Sequence, residues 1–373
     1  LQPDAEELMK FKVDRDIVLD AMSHARRAVE ARNTIPILGH VMLIADASLT
    51  LVTTDLDLEL TERVHADIEK PGKTTVPAHT LFDIIRKLPA AAQVSVESTD
   101  EERMIVKSGR SRFTLPTLPA TDFPTLFTGD IPNRFRVPAD DLARLFKTAF
   151  AVSTEETRYY LNGVYLHVTS DTKLRAVTSD GHRLACVDAP LPDGAAGMPG
   201  VIVPIKVVGQ VQRLFTDGEV TVSVSNTKIR FEQGDVRISS KLIDGTFPDY
   251  LRAIPAGNNT LLFVEKDVLS AAVDRVATLS TERGKAVKLS LVSGKLTLSV
   301  RSPDAGSATD ELDVDYEGPP LEIGFNASYL REILGQLDKD KAQIAMSNPG
   351  SPAIVKDIDS EGAFYIIMPM RVG

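Results

Sequence analysis

Several absences bound the sequence before any pattern is read. One cysteine, Cys186, stands in a chain of 373 residues, so no intrachain disulfide can form, which fits a reducing cytoplasm. No apolar run approaches the ~18–20 residues that a membrane helix needs, and no secretory leader pattern opens the chain. Bases are outnumbered: 42 Lys and Arg face 52 Asp and Glu, a net charge of −10. That excludes a basic nucleic-acid binder as a description of the whole surface and leaves room only for a local basic patch. The marks of catalysis are missing too. The six histidines include no His-Glu-x-x-His pair, and a lone cysteine has no partner for a zinc site. There is no Gly-x-Ser-x-Gly nucleophile elbow. Pro71-Gly72-Lys73-Thr74-Thr75 looks like the end of a phosphate-binding loop, but Asp67 stands where that loop needs a glycine. Ser179, Asp180 and His182 are close in sequence, yet a hydrolytic triad is defined by geometry between separate elements. Asp180-Gly181 reads more simply as a hairpin turn.

What is present is an ordinary globular composition, 43% hydrophobic and 25% charged, on a length that allows two or three domains. The first eight residues carry Asp4, Glu6 and Glu7 without a pattern and are expected to be an extension foreign to the fold, with Met9 as the natural start. The rest repeats. Val13-Asp14-Arg15-Asp16, Val137-Pro138-Ala139-Asp140 and Val264-Glu265-Lys266-Asp267 open three segments. Each is followed by apolar residues at i, i+3, i+4 and i+7, the mark of one buried helix face. They are Val18, Ala21, Met22 and Ala25; Leu142, Leu145, Phe146 and Ala149; and Leu269, Ala272, Val273 and Val276. A second helix recurs in each segment after Val76-Pro77-Ala78, Val203-Pro204-Ile205 and Phe325-Asn326-Ala327. Its apolar face is Leu81, Ile84 and Leu88, then Val208, Val211 and Phe215, then Leu330, Ile333 and Leu337. Phe123-Pro124 and Phe247-Pro248 close the first two segments, whereas the third ends at Met368-Pro369-Met370.

Between these landmarks apolar and polar residues alternate, as in Val94-Ser95-Val96-Glu97 and Val220-Thr221-Val222-Ser223, the pattern of half-buried strands. The period of about 122 residues is far beyond the ~20–50 of a solenoid. The pattern predicts three tandem α+β domains, 9–130, 131–256 and 257–373, with linkers near 127–134 and 254–259. Asp16, Asp140 and Asp267 recur at helix starts, where a carboxylate contributes roughly 0.3–1 kcal/mol. Asp55, Asp57 and Glu59 alternate with leucines, which puts them on the wet face of a strand rather than around a metal. The repeated helices carry Arg26, Arg27, Arg86, Lys87, Arg144, Lys147, Lys206, Arg213, Arg275 and Arg331, and are slightly basic in sum on an acidic chain. Either this is an ordinary solvated helix surface or one suited to loose phosphate contact.

With the repeat in hand, the chain resembles the bacterial sliding clamp family, the beta subunit of DNA polymerase III. The likeness runs over residues 9–373. Its carriers are Met9-Lys10-Phe11, Ile35-Pro36-Ile37-Leu38-Gly39, Ser108-Gly109-Arg110-Ser111-Arg112-Phe113 and Arg158-Tyr159-Tyr160-Leu161-Asn162-Gly163. They continue with Ser179-Asp180-Gly181-His182-Arg183-Leu184-Ala185, Phe247-Pro248-Asp249-Tyr250 and the tail Met368-Pro369-Met370-Arg371.

The resemblance implies three clamp domains per chain, each with two helices packed on antiparallel sheets, closing as a head-to-tail homodimeric ring around duplex DNA. It implies a cytoplasmic, nucleoid-associated processivity factor without catalysis, cofactor or metal, and with no membrane partner. A ring holds DNA by topology, so a few phosphate contacts suffice and base contacts would only halt it. The DNA-facing residues carried over are Arg32, Tyr159 and Tyr160, joined by Lys206 and Arg213 on the basic helices. The resemblance also implies a pocket between the second and third domains for linear motifs of the replicative polymerase, the clamp loader, other polymerases and repair proteins. Its positions here are Leu161, Ser179, Gly181, His182, Arg183, Leu184, Pro248, Arg252, Asn326, Tyr329, Ile366, Ile367, Met368, Pro369, Met370 and Arg371. An apolar anchor is expected beside Leu184 and Met368, with His182, Arg183 and Arg371 meeting polar groups at the rim. The subunit interface is expected to join residues 111–115 to the region of Thr278 and Leu279, with Arg110 and Arg112 nearby and Phe113 and Leu115 as apolar anchors.

Overall fold

The computed structural model describes residues 8–29, 33–99, 102–125, 131–170, 172–280, 286–303 and 305–372. Arg32, most of the expected N-terminal extension and part of the first linker lie outside the described residues. Six α-helices are present among the described residues, two in each repeat: α1 (Arg15–Ala28), α2 (Ala78–Lys87), α3 (Ala139–Phe146), α4 (Ile205–Leu214), α5 (Lys266–Ala277) and α6 (Ala327–Leu334). The strands form four sheets of five, eight, eight and four members.

The compact bodies do not coincide with the repeats. One body holds residues up to 140 together with 193–198 and 209–242; the other holds 141–192, 199–208 and 243 onward. The middle repeat gives four strands to each eight-stranded sheet. In the first body its strand Val236–Lys241 pairs antiparallel with Leu58–Val64 of the first repeat, Ile238 opposite Leu60. In the second its strand Arg183–Pro190 pairs antiparallel with Ala363–Ile367 of the third, Leu184 opposite Ile366. An open sheet edge presents unpaired N–H and C=O groups, and neighbouring repeats remove two such edges by zipping together.

Most helices bury the faces that their spacing predicts, but on α2 Ile84 is half-buried while Phe82 and Ile85 are buried beside Leu81. Val18, Ala21, Met22 and Ala25 of α1 are at most 4% exposed, and Leu269, Ala272, Val273 and Val276 of α5 at most 2%. The Asp14 side chain caps α1 by accepting from the Asp16 N–H at 2.9 Å, one of the four donors a helix start leaves open. One expectation fails on α3. Ala149 was to complete its face, but the helix tightens after Phe146 into a 3-10 segment, Lys147–Ala151. Three residues per turn rotate the face, so Thr148 and Ala151 are buried instead. A second expectation fails before the strand Leu58–Val64. Asp55 and Asp57 belong to a turn, with Leu56 at φ 78° and the Asp55 carboxylate accepting from the Asp57 and Leu58 N–H groups at 3.0 and 2.7 Å. The alternation that resembled a strand is an aspartate-capped turn.

Candidate functional site

The site begins with a three-residue turn. Strands Lys173–Ser179 and Arg183–Pro190 pair with Ser179 opposite Leu184, and Asp180, Gly181 and His182 bridge them. Gly181 sits at φ +89°, a conformation that side chains rarely tolerate. The Asp180 carboxylate accepts from the His182 and Arg183 N–H groups at 2.9 and 3.0 Å. The Ser179 hydroxyl accepts from Gly181 N–H and donates to the Arg183 carbonyl at 2.8 Å. Ser179 and Asp180 are thus consumed by the turn, and no relay joins them to the His182 ring among the described residues. Cys186, one turn of the pleat further on, is buried, and burial pushes its thiol up to about 12, which leaves it un-ionised at neutral pH.

Arg183 departs from its expected place at a ligand-facing rim. Its residue is 8% exposed. Nε donates to Asp180 at 3.1 Å, Nη1 pairs with Glu332 of α6, and Nη2 donates to the Phe150 carbonyl at 2.8 Å. The guanidinium also lies over the Tyr329 ring at 4.3 Å and the Phe150 ring at 5.1 Å. A planar cation with five donors is suited to such a junction. Arg183 locks the turn onto α6 and has little left to offer a ligand. Asn326 is committed as well, capping α6 by accepting from Ser328 and Tyr329 N–H. Tyr329 is half-buried, with its ring 6.3 Å from that of His182.

Beside the turn lies an apolar floor. Leu161, Leu184 and Ile366 are at most 5% exposed and share one cluster with Val177, Ile202, Phe247 and Tyr250. Strand alternation sends Ile367 to the opposite side, into the larger core of the third repeat. Two chain segments edge this floor. The first follows Phe247: Pro248 is exposed, and the 3-10 turn Tyr250–Ala253 holds Arg252, paired to Asp249 at 2.8 Å. The same turn holds Leu251 at 58% exposure, a residue that no motif or periodicity singles out. The second is the tail. Met368 N–H donates to the His182 carbonyl at 2.9 Å and Met370 N–H to Gly324 at 2.8 Å, while the Met368 side chain is 42% exposed. Pro369 is half-buried between them. Arg371 goes elsewhere, to a polar cleft shared with Lys288, Ser299 and Arg301.

The other candidate residues are scattered. Tyr159 is 53% exposed and Tyr160 half-buried, their rings edge-to-face at 5.8 Å in the 3-10 segment Glu156–Leu161. Lys206 is half-buried and Arg213 exposed, seven residues apart on α4. Arg110 and Arg112 are exposed at the start of Ser111–Pro116, an edge strand of the five-stranded sheet. Phe113 is half-buried there, but Leu115 is 7% exposed and packs into the core of its own repeat. It cannot serve as a free anchor, because the strand's apolar face already faces inward at that position. Thr278, at the C-terminal cap of α5, is exposed and Leu279 half-buried. Strand Gly306–Asp313 is an edge of the four-stranded sheet.

Comparison with known proteins agrees along the whole length. The family model of the DNA polymerase III beta subunit N-terminal domain matches residues 9–127, that of the central domain 136–249, and that of the C-terminal domain 251–371. The beta sliding clamp of Caulobacter vibrioides is 48% identical over 372 residues, 98% of this chain and 100% of that protein. The beta sliding clamp of Escherichia coli K12 is 38% identical with the same coverage. Among solved structures, the sliding clamp of Bartonella birtlesii bound to griselimycin superposes with a TM-score of 0.95 at 48% identity, over 98% of this chain and 100% of that one. The chain belongs to the DNA polymerase III beta subunit family, the sliding clamps of DNA replication: three tandem clamp domains forming a processivity factor, not an enzyme.

Proposed function

We propose that this clamp closes as a head-to-tail homodimeric ring around duplex DNA, tethers the replicative polymerase, and receives the clamp loader and repair proteins through linear motifs. It works in the cytoplasm, on the nucleoid. The observation that carries the ring is a pair of sheet edges of opposite charge that have no strand partner among the described residues. Ser111–Pro116 is flanked by Arg110 and contains Arg112, whereas Gly306–Asp313 carries Asp310, Glu311 and Asp313. One edge lies in the first repeat and the other in the third. Pairing the first with the second of another copy satisfies both backbones and both charges, and repeating the step closes a ring. Asp310 and Glu311 already pair with Arg275 and Lys295 within the chain, so Asp313 is the acid best placed for Arg112 of the partner subunit.

The peptide site of this reading is the floor of Leu161, Leu184 and Ile366, edged by Pro248 and Arg252 on one side and by Met368, Pro369 and Met370 on the other. Apolar, adaptable methionines suit a short motif with an apolar anchor. Tyr159, Tyr160, Lys206, Arg213 and Arg32 are the DNA contacts of this reading, which makes binding to linear duplex weak, salt-dependent and indifferent to sequence. Light scattering should give twice the 40.5 kDa chain mass for the native protein. An Arg112→Glu, Phe113→Ala double variant should give one chain mass and lose retention on nicked circular DNA. A double variant that stays dimeric would overturn the interface.

A further inference from the structure

The segment from Asp244 to Ile254 carries Pro248, Leu251 and Arg252 along the edge of the apolar floor, yet nothing regular holds it. Among the described residues its backbone hydrogen bonds are internal, Arg252 N–H to Asp249 and Ile254 N–H to Leu251. No ladder fixes it to a strand. Gly245 lies against Tyr160 and Ile254 packs on the floor, but between them the edge is held by two rings at either end of Pro248-Asp249.

Those rings clasp a stack that rises from the strand Gly163–Val168. Phe247 lies flat on Tyr165, with centroids 4.9 Å apart and planes at 6°, and Tyr165 lies on His167 at 4.7 Å and 22°. Gly200 leaves the room for this, since a Cβ there would stand 2.6 Å from the Tyr165 hydroxyl. At the far end, the Tyr250 hydroxyl lies 3.1 Å from His167 Nε2 and 3.3 Å from Arg175 Nη1. Arg175 in turn donates to both Asp188 carboxylate oxygens, at 2.6 and 2.8 Å. One contact sets the direction of these bonds for a neutral ring. His167 Nδ1 is 3.1 Å from the Val168 carbonyl, which accepts only, so in the neutral imidazole Nδ1 carries the proton and Nε2 is an acceptor. The Tyr250 hydroxyl therefore donates to His167 and accepts from Arg175. Burial lowers the pKa of His167, which favours the neutral ring that this arrangement needs.

We propose that Tyr165, which packs against the apolar floor, and His167, Arg175 and Asp188, which lie outside it, are positioning residues for peptide binding, acting through Phe247 and Tyr250 to hold the Pro248–Arg252 edge in its binding-competent place. The proposal rests on the peptide site proposed above. Preorganisation is its physical content: if a loosened edge is competent only part of the time, apparent affinity falls by that fraction. The loss then appears in the association rate, whereas losing a direct contact raises the dissociation rate.

The test uses the full-length clamp and a labelled peptide copying a replicative polymerase's clamp-binding segment, followed by stopped-flow. Tyr250→Phe removes only the hydroxyl, and His167→Phe keeps a ring in the stack while removing the acceptor. Each should lower affinity about two- to tenfold, the range of one net hydrogen bond, through slower association. The double variant should be no worse than the weaker-binding single variant, since both break the same bond. His167→Gln, which takes the ring out of the stack, supplies a further variant should either phenylalanine variant fail to fold. Binding by the native clamp with unchanged association in the variants overturns the positioning role, as does a double variant whose losses add in full. A native clamp that does not bind the peptide overturns the pocket itself, and this inference with it.

Discussion

Phe247-Pro248 and Met368-Pro369-Met370 end the second and third repeats, and they are held in opposite ways. Phe247 is 8% exposed and stacked on Tyr165, while the backbone that follows it bonds only to itself. Met368 is 42% exposed, while its backbone and that of Met370 are fixed to His182 and Gly324. One edge of the floor spends its side chains on position and leaves its backbone free. The other spends its backbone and leaves its side chains free. A pocket that binds many related motifs gains from both: a wall whose place is set by rings, and an adaptable surface of flexible thioethers.

The largest expected effect separates the two walls by stability. Phe247→Ala should cost about 3–5 kcal/mol of folding stability, as loss of a buried ring does, measured as a shift in denaturant midpoint. Met368→Ala should leave that midpoint nearly unchanged and instead weaken a polymerase-derived peptide by ~2 kcal/mol, roughly thirtyfold, in calorimetry. Equal stability losses in the two variants would erase the distinction. Deleting residues 368–373 should abolish peptide binding with the dimer intact, because the proposed interface uses other strands.

A smaller effect probes the backbone-held wall alone. At Gly324 a Cβ would stand 2.6 Å from the Met370 carbonyl oxygen and 2.5 Å from Val372 Cγ1. Gly324→Ala should push the tail outward at a local cost of about 1–3 kcal/mol and weaken peptide binding a few-fold without changing the association defect seen at Tyr250. Identical kinetics in Gly324→Ala and Tyr250→Phe would mean that the walls are one mechanical unit.

Local chemistry was legible in the sequence and long-range pairing was not. The helix faces of Val18 to Ala25 and Leu269 to Val276 follow from spacing alone, and the Ser179–Arg183 turn from its Asp-Gly pair. Leu161, Leu184 and Ile366 do meet, as the family pattern implies. Three residues lie elsewhere than the sequence leads one to expect, for one reason. Leu115 is in the core, Arg183 is locked to Glu332 and Phe150, and Arg371 faces another cleft. Each depends on what a strand meets across a sheet or on which partner lies about 150 residues away, and no window of sequence contains that. Leu251 escaped notice because its exposure comes from the two rings before it, Phe247 and Tyr250, taking the buried places. The sharing of sheets between repeats was hidden similarly, since an edge looks like any strand until its neighbour is known.

The smallest prediction sharpens the comparison by pH. The ring-held wall contains His167, whose pKa burial lowers below its usual 6.5 and which the Arg175 cation lowers further, against the opposing pull of the Val168 carbonyl and Asp188. Tyr165 and Tyr250 are its other close neighbours. Because the folded state holds this imidazole neutral, the unfolded chain binds more protons as pH falls through 6.5, so stability falls with it and levels off below the folded pKa. Protonation also places an N–H on Nε2 against the Tyr250 hydroxyl and a charge beside Arg175. Native protein should therefore lose both stability and peptide association rate on acidification below 6.5. His167→Phe should flatten the association profile and remove part of the stability slope. The remainder belongs in part to His40 of the first body, whose pKa burial also lowers. Met368→Ala should leave the pH profile parallel to that of the native clamp, since no titratable side chain holds that wall. A His167→Phe variant whose association rate tracks the native acid response would place the titrating group elsewhere.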